Sequence, residues 1–216
     1  MFLLCAATEI EIEPTLAFLR KHADVYREVD VLVTGVGLMA ATYQLTKYLN
    51  TSKPQFVLQA GICGSLDRFL KTGDLVVVEN EIIGDSGVME KGGFHSLFDM
   101  GFIKKNELPW TEGKLANNLS VLRKTNLKIV DGVTVNEIST NKERIAFYTD
   151  KLKANIETME GAALHYVCLM EKIPFLQLRS VSNTVGERDK KKWEIAESIA
   201  QLNLELQKML IKFFAV

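Results

Sequence analysis

Short continuous hydrophobic runs along this chain alternate with stretches in which apolar residues recur at helical spacing. The runs predict strands at residues 2–7, 29–34, 55–60, 75–83, 128–135, 155–159 and 174–182. The periodic stretches predict helices from about Pro14, at 38–49, at 161–172 and from about 190 to 214. Such alternation is typical of an α/β fold with a mostly parallel sheet. We therefore predict a single α/β domain over residues 1–216.

Two segments outside the predicted strands bear on function. Pro14 has no amide hydrogen and suits the first turn of a helix, so residues 9–13 are expected to form the preceding strand-to-helix corner. This places Glu11 beside the carboxyl edge of the sheet. Residues 84–110 contain five glycines and are expected to form a long irregular excursion, which in a compact domain is usually functional or mobile.

Composition and charge narrow the range of partners. The chain has 26 basic and 27 acidic side chains and a net charge of -1, so neither nucleic acid nor an anionic membrane is an expected partner. The three cysteines are widely spaced, odd in number and without metal-ligand spacing, which favours reduced thiols and no metal site. No signal peptide or membrane-length apolar run is evident. We expect a cytoplasmic protein.

An acid and an amide are predicted to meet at the sheet edge. Glu160 lies where a strand turns into a helix, and Asn183 ends the next apolar strand. Side chains at such strand ends converge on ligands. An ionised carboxylate in the small apolar setting of Glu160 needs partners, and either ribose hydroxyls or a buried arginine such as Arg179 would serve. Asn183 offers a donor and an acceptor to a heteroaromatic edge, although an amide there can also cap a turn.

A glycine motif suggests a dinucleotide site only weakly. Gly35, Gly37 and Ala40 match G-x-G-x-x-A after a strand. Such a site also needs an acid about 20 positions further on for the ribose, and no Asp or Glu occurs between Asp30 and Asp67. The alternative is that these glycines allow a tight turn and close packing.

Two other candidates have structural alternatives. Residues 60–65 are expected to follow a strand and to offer bare backbone to a flat ligand. Cys63 in that segment is more often a small core thiol than a nucleophile, since no histidine lies nearby in sequence. Glu11, between Glu9 and Glu13, is on sequence alone explained slightly better as part of a solvated acidic helix start that favours the helix dipole.

Together these residues resemble the nucleoside phosphorylase and nucleosidase superfamily, which has a corner glutamate, a Met-Glu before a helix and a Ser-Asn or Ser-Asp strand end. The resemblance covers essentially the whole chain. It is strongest to the futalosine hydrolases, which remove hypoxanthine from futalosine in menaquinone biosynthesis, at residues 7–11, 84–87, 93–94, 101–102 and 182–193. The resemblance implies a three-layer α/β/α fold with a central mixed, mostly parallel twisted sheet, no cofactor and a homodimer.

The resemblance also implies roles for individual residues. Glu11 corresponds to the water-activating carboxylate, Glu160 to the group that grips the ribose hydroxyls, and Met159 to a residue that packs on the sugar. Asn183 stands where methylthioadenosine/adenosylhomocysteine nucleosidases have an acid that protonates adenine at N7. An amide suits a 6-oxopurine instead, because it can donate to O6 and N7. The expected leaving group is hypoxanthine or guanine.

The remaining implied residues concern the co-substrate and the rest of the substrate. Phosphorylases of the family have an arginine where this chain has Gln59, so water is expected to replace phosphate. The base and sugar are expected to contact a further set of residues, namely Cys63, Gly64, Phe94, Val135 and Asn136. Arg188 is a hypothetical partner for the benzoate of futalosine. The alternatives are a methylthioadenosine/adenosylhomocysteine nucleosidase, a purine nucleoside phosphorylase, a nicotinamide-dependent oxidoreductase and a catalytically silent nucleoside-binding protein.

Overall fold

The computed structural model describes residues 1–24, 26–187, 189 and 193–214. Within these residues, eight strands form one mixed sheet and two more form a separate hairpin. The sheet strands are β1 (Phe2–Ala6), β2 (Val29–Val33), β3 (Phe56–Ser65), β4 (Leu75–Ile83), β7 (Leu115–Ala116), β8 (Lys128–Thr134), β9 (Ile156–Thr158) and β10 (Phe175–Thr184). The hairpin consists of β5 (Gly87–Glu90) and β6 (Gly93–Ser96).

The order of the strands confirms a mixed, mostly parallel sheet. Along the sheet the order is β10-β4-β8-β9-β3-β1-β2, with β7 beside β4. Five of the pairings are parallel, while β10–β4, β3–β9 and β4–β7 are antiparallel. Because β10 also pairs with β3, the five strands β3, β10, β4, β8 and β9 form a closed ring. This ring brings the ends of β3, β9 and β10 together.

Helices cover both faces of the sheet, as expected for three layers. They are α1 (Glu9–Lys21), α2 (Leu38–Thr51), α3 (Leu119–Leu122), α4 (Lys142–Ala146), α5 (Gly161–Glu171) and α6 (Ile195–Phe214). The alternation along β1 shows the two faces. Leu3 and Cys5 pack with residues of α2 and α5, whereas Leu4 and Ala6 pack with residues of α1 and α6. None of the described helices is long and apolar enough to cross a membrane.

The start of the first helix differs from the prediction. α1 begins at Glu9, so residues 9–13 belong to the helix and Pro14 lies inside it. The cause is a capping box, in which Glu11 accepts hydrogen bonds from the backbone and hydroxyl of Thr8. The first turn still follows β1 directly. Glu11 therefore lies at the sheet edge as expected, although on a helix and not in a corner.

Two other boundaries and the long excursion also differ from the prediction. β3 continues to Ser65 instead of ending at residue 60, because β10 and β9 pair with its last residues. The 84–110 excursion contains the β5–β6 hairpin, so it is not wholly irregular. The last helix begins at Ile195, and Trp193 precedes it. Residues 190–192, where that helix was expected to start, lie outside the described residues.

Candidate active site

A cavity of about 320 Å³ lies where β1, β3, β9 and β10 end. Its lining includes six of the residues that the sequence analysis singled out, namely Glu11, Cys63, Gly64, Met159, Glu160 and Asn183. These residues come from four separate stretches of the chain. The fold thus brings the predicted water-activating, ribose-binding and base-binding groups into one cavity.

The structure does not bring every predicted contact residue into this cavity. Val135 is fully buried in a cluster with Val133 and Tyr148. The backbone and side-chain amides of Asn136 donate to Asp85, at 2.6 and 3.1 Å. Neither Val135 nor Asn136 is part of the lining.

Two further predicted contacts also lie elsewhere. Phe94 lines a neighbouring cavity of about 570 Å³, which shares Ile138 and Ser139 with the first. Arg188, the hypothetical benzoate partner, lies outside the described residues. Among the described residues that line the first cavity there is therefore no cationic side chain to pair with the 5′ end of a substrate.

Glu11 is a buried carboxylate held by three donors. Its Oε2 accepts from the backbone and the hydroxyl of Thr8, each at 3.0 Å, and its Oε1 accepts from Ile62 N at 3.1 Å. Gly61 allows this close approach, since a Cβ there would lie 2.9 Å from Glu11 Oε1. These bonds fix the carboxylate in the cavity wall, where its remaining lone pairs can accept from a water molecule.

Glu160 is held by a backbone amide and lies close to a buried arginine. Its Oε1 accepts from Gly37 N at 2.9 Å, while its Oε2 lies 3.9 Å from Arg179 Nη1. Burial raises the pKa of the Glu160 carboxyl, and Arg179 and the Gly37 amide oppose that shift. Gly37 adopts φ +94°, a left-handed conformation that favours glycine. The glycine motif therefore forms a tight turn whose amide orients Glu160, and Oε2 remains available for ribose hydroxyls.

Arg179 lies below the site and is committed to protein oxygens. It is 1% exposed. Its Nε donates to Gln177 at 2.9 Å, its Nη2 donates to Gln59 at 2.8 Å, and its Nη1 lies 3.5 Å from Ile62 O. A side chain at Gly61 would collide with the guanidinium. Gln59, where phosphorylases of the family have an arginine, is thus the partner of a buried arginine from β10.

A buried network continues from Gln177 away from the cavity. Its Nε2 donates to Glu81 at 2.9 Å and lies 3.1 Å from His165 Nε2. Burial raises the pKa of Glu81 to about 7, against hydrogen bonds from Gln177 and Thr134. Burial also lowers the pKa of His165 to about 3, so its ring is neutral and Nδ1 donates to Leu115 O. This network supports the position of Arg179.

Asn183 owes its position to an irregularity in β10. The pairing of β10 with β3 shifts between Val181 and Asn183, so that Asn183 pairs with Gly64. Such a bulge re-aims a side chain. Asn183 Oδ1 lies 2.8 Å from Ser182 Oγ, and Nδ2 donates to Thr184 O at 3.0 Å. One amide hydrogen of Asn183 therefore remains for a ligand.

The cysteine in the cavity wall is unsuited to nucleophilic attack. Burial raises the pKa of the Cys63 thiol to about 12, with Arg179 opposing the shift. The thiolate is the nucleophilic form, and it is scarce at neutral pH when the pKa is that high. Cys63 contributes packing and its backbone, whose carbonyl lies 3.1 Å from Ser182 Oγ.

Sequence analysis missed Glu157, Ser139 and Ile138, which also line the cavity. Glu157 is 6% exposed, and its Oε1 accepts from Ser139 N at 3.1 Å. Burial raises the pKa of its carboxyl. The available signal was its position two residues before Met159 in a strand, because alternate residues of a strand share a face.

Among the described residues that line the cavity there are four glutamates and neither a lysine nor an arginine. The glutamates are Glu11, Glu157, Glu160 and Glu187. A phosphate dianion needs positive charge and bidentate donors. The lining described here suits an uncharged nucleophile such as water.

The chain is similar in sequence to known proteins. The phosphorylase superfamily matches residues 8–215. The chain is 29% identical over 185 residues to futalosine hydrolase from Thermus thermophilus, covering 83% of this chain and 80% of that protein. It is 27% identical over 199 residues to aminodeoxyfutalosine nucleosidase from Helicobacter pylori, covering 88% and 83%.

The fold is shared with solved nucleosidases. A crystal structure of a mutant Helicobacter pylori 5′-methylthioadenosine/S-adenosylhomocysteine nucleosidase, with 5′-methylthioadenosine in the active site, superposes with a TM-score of 0.80. The identity is 20%, and the match covers 98% of both chains. At that identity the superposition establishes the fold alone.

Proposed function

Since the chain belongs to the phosphorylase superfamily, we propose that it is a nucleosidase that hydrolyses futalosine to hypoxanthine and dehypoxanthinyl futalosine. One observation carries this proposal: Glu11, Glu160 and Asn183 line the same cavity. The relatives from Thermus thermophilus and Helicobacter pylori, named for futalosine and aminodeoxyfutalosine, support the substrate class.

The reaction replaces the bond between C1′ and N9 by a bond between C1′ and water oxygen. As the purine departs with the bonding electrons and takes up a proton from solvent, C1′ becomes oxocarbenium-like. Glu11 orients the attacking water and takes its proton, which is general-base catalysis. Glu160 accepts hydrogen bonds from the ribose hydroxyls through Oε2 and holds C1′ in front of that water.

Asn183 stabilises the leaving purine. A 6-oxopurine presents O6 and N7 as adjacent acceptors, and the free amide hydrogen of Asn183 Nδ2 donates to one of them. A 6-aminopurine departs more easily when an acid protonates N7, and an amide cannot supply that proton. Hypoxanthine is therefore the proposed leaving group.

Water is proposed as the nucleophile because no positive side chain is available to phosphate in the described lining. Arg179 is the nearest candidate, but its nitrogens already face Gln177, Gln59, the Ile62 carbonyl and Glu160. Recruiting it would break these buried contacts, which is costly for a charged group.

We further propose a cytoplasmic homodimer, in line with the family resemblance. An exposed apolar stripe at the start of α2 supports self-association. Met39 and Tyr43, which lie one turn apart in α2, are 86% and 62% exposed, and Val36 just before the helix is 58% exposed.

A substrate panel tests the proposed function. The purified protein is incubated with futalosine, 5′-methylthioadenosine and inosine, with and without phosphate, and the products are resolved by chromatography. We expect hypoxanthine from futalosine at a rate that does not depend on phosphate. Adenine from 5′-methylthioadenosine as the main product would contradict the substrate, and a phosphate requirement would contradict hydrolysis.

Asn183→Asp tests the proposed role of the amide. The carboxyl can protonate N7 of a 6-aminopurine but repels O6 of a 6-oxopurine. We expect kcat/KM to fall at least about tenfold for futalosine, the equivalent of one lost hydrogen bond, and to rise for aminodeoxyfutalosine. Asn183→Ala is the control, because it removes the amide without adding an acid and should improve neither substrate. A parallel fall for both substrates with Asn183→Asp would show that the residue does not read the base.

A further inference from the structure

Glu81, in β4, is a fully buried carboxylate that is not part of the cavity lining. Its side chain lies below the start of α5. A Cβ at Gly161 would overlap with Glu81 Oε1, and a Cβ at Gly132 would lie 2.6 Å from the same atom, so glycine at both positions makes room for the carboxylate. A buried carboxylate is costly unless it is hydrogen-bonded and paired. The partners of Glu81 therefore show what it holds in place.

Two threonine hydroxyls connect Glu81 to the first turn of α5. Thr134 Oγ1 donates to Glu81 Oε2 at 2.8 Å and accepts from Ala162 N at 2.8 Å. Thr158 Oγ1 accepts from Gly161 N at 3.3 Å and lies 3.5 Å from Glu81 Oε1. The amides at the start of a helix lack partners within the helix and carry positive partial charge, which favours a negative group nearby. The carboxylate of Glu81 thus anchors the start of α5.

A second connection runs from Glu81 through Gln177 to Arg179. Gln177 Nε2 donates to Glu81 Oε1, and Gln177 Oε1 accepts from Arg179 Nε, each at 2.9 Å. The second hydrogen of Gln177 Nε2 faces His165 Nε2 at 3.1 Å, which is an acceptor because Nδ1 of that ring donates to Leu115 O. The amide oxygen of Gln177 is therefore directed at the arginine, and the position of Glu81 is transmitted to the guanidinium.

Both connections end at Glu160, the candidate ribose carboxylate. Glu160 is the N-cap residue of α5, and its Oε2 lies 3.9 Å from Arg179 Nη1. That separation is longer than a hydrogen bond. One buried guanidinium thus lies between two buried carboxylates, Glu81 and Glu160, and its charge opposes the rise in the pKa of each.

We propose that Glu81 is a positioning residue for ribose recognition, which anchors Glu160 through the start of α5 and shares the charge of Arg179. The inference rests on the proposed nucleosidase function and assigns a role to a residue that does not touch substrate. Opposite charges attract strongly in a buried, low-dielectric setting. Without the charge of Glu81, the guanidinium would draw Glu160 Oε2 to itself and away from the ribose hydroxyls.

Glu81→Gln tests this role with inosine and 2′-deoxyinosine, which differ in the 2′-hydroxyl alone. The amide oxygen can keep the bond from Gln177, and its NH2 group can donate to Thr134 Oγ1. Thr134 can then donate to Thr158 Oγ1, 3.2 Å away, so the shape of the network is retained while its charge is lost. We expect the ratio of kcat/KM for inosine to that for 2′-deoxyinosine to fall at least about threefold. An unchanged ratio would overturn the inference.

The double variant with Glu160→Gln shows whether Glu81 acts through Glu160. Once Glu160 is replaced, adding Glu81→Gln should leave the ratio unchanged within about twofold. An equal further fall would place the effect of Glu81 elsewhere and overturn the inference. Glu79→Gln is the matched control, because Glu79 lies in the same strand and takes no part in the hydrogen bonds described above. Its ratio should equal that of the wild type.

The charge of Glu81 can also be followed by titration, because burial raises its pKa to about 7. Among the groups that face it, Arg179 keeps its charge. His165 stays neutral and Cys63 stays a thiol, since burial lowers the pKa of the one to about 3 and raises that of the other to about 12. Glu160 is the other carboxyl in reach whose pKa burial raises. The step that Glu81→Gln abolishes therefore belongs to Glu81.

Amide signals in an NMR titration of the unaltered protein report this step without requiring activity. Ala162 N–H reports on the start of α5, and Gly37 N–H, which donates to Glu160 Oε1 at 2.9 Å, reports on Glu160. We expect both signals to shift with a common midpoint near pH 7 in the wild-type protein, and the step to be absent in Glu81→Gln. A Gly37 signal that does not shift with that of Ala162, or a common step that persists in the variant, would overturn the inference while the nucleosidase proposal stands. A wild-type protein that cleaves neither futalosine nor inosine would instead overturn the proposed function.

Discussion

Replacing Glu11 by glutamine is expected to lower kcat for futalosine hydrolysis by about 10²–10⁴-fold, the usual contribution of a general base. The amide has nearly the shape of the carboxylate but does not accept a proton from water at neutral pH. It can keep the capping bond to Thr8, because glutamine also serves in capping boxes. At the other oxygen an NH2 group would face Ile62 N–H, which loses one acceptor. The helix start is therefore retained while the base is lost.

Steady-state kinetics and calorimetry of hypoxanthine binding check this expectation together. Product affinity should stay within a few-fold, since Glu11 acts on water and does not contact the base. Glu9→Gln is the matched control, because Glu9 is exposed, lies in the same helical turn and is absent from the cavity lining. A Glu11→Gln variant with kcat close to that of the wild type would refute the assignment of the base.

Local patterns were sufficient to predict most of the elements. In β1, Leu3 and Cys5 pack against one helical layer, and Leu4 and Ala6 pack against the other. A continuous hydrophobic run is the sequence pattern expected of such a strand, buried on both faces. The predicted start of the first helix was wrong because it rested on Pro14 alone. Thr8 and Glu11 together form a capping box, and this pair begins the helix five residues earlier.

The features that the sequence did not predict depend on contacts between residues that are far apart in the chain. The end of β3 is a strand because β9 and β10 pair with it, and those partners lie more than 90 residues away in the sequence. The Gly37–Glu160 hydrogen bond likewise spans 123 residues. No local pattern reports such a contact. The glycine motif was therefore interpreted as a turn, and its contact with the candidate ribose carboxylate emerged only from the fold.

In the candidate site, too, some residues could be predicted from the local sequence and others could not. Glu11, Glu160 and Asn183 could be proposed from the sequence because each ends a recognisable element. Glu157 was missed because its one local signal, its place two residues before Met159 in the predicted strand 155–159, is weak for a single acid. Its place in the cavity wall comes from register, since Gly64 pairs with Glu157 on one side and with Asn183 on the other. Register across a closed ring of strands depends on the whole sheet.

Glu160→Gln is expected to lower kcat/KM for ribonucleosides by about 100-fold, on the estimate that hydrogen bonds to a charged acceptor contribute about 1.5–3 kcal/mol each. Glutamine can still accept from Gly37 N, which keeps the side chain in place. Its NH2 group would then lie toward the ribose and toward Arg179 Nη1, now 3.9 Å from Glu160 Oε2. Both the ribose contact and the ion pair would be lost, so the variant alone does not separate them.

A double-mutant cycle with inosine and 2′-deoxyinosine separates these two effects. If Glu160 holds the ribose, removing the 2′-hydroxyl costs the wild-type protein most of the contact, and the same removal costs Glu160→Gln much less. The two changes should then be non-additive, with a coupling free energy of about 1 kcal/mol or more. If Glu160 serves only to neutralise Arg179, the variant loses the same factor on both substrates and the coupling is zero. Because the ion pair is identical with either substrate, its loss cancels in the cycle, and the coupling measures the bond between Glu160 and the 2′-hydroxyl.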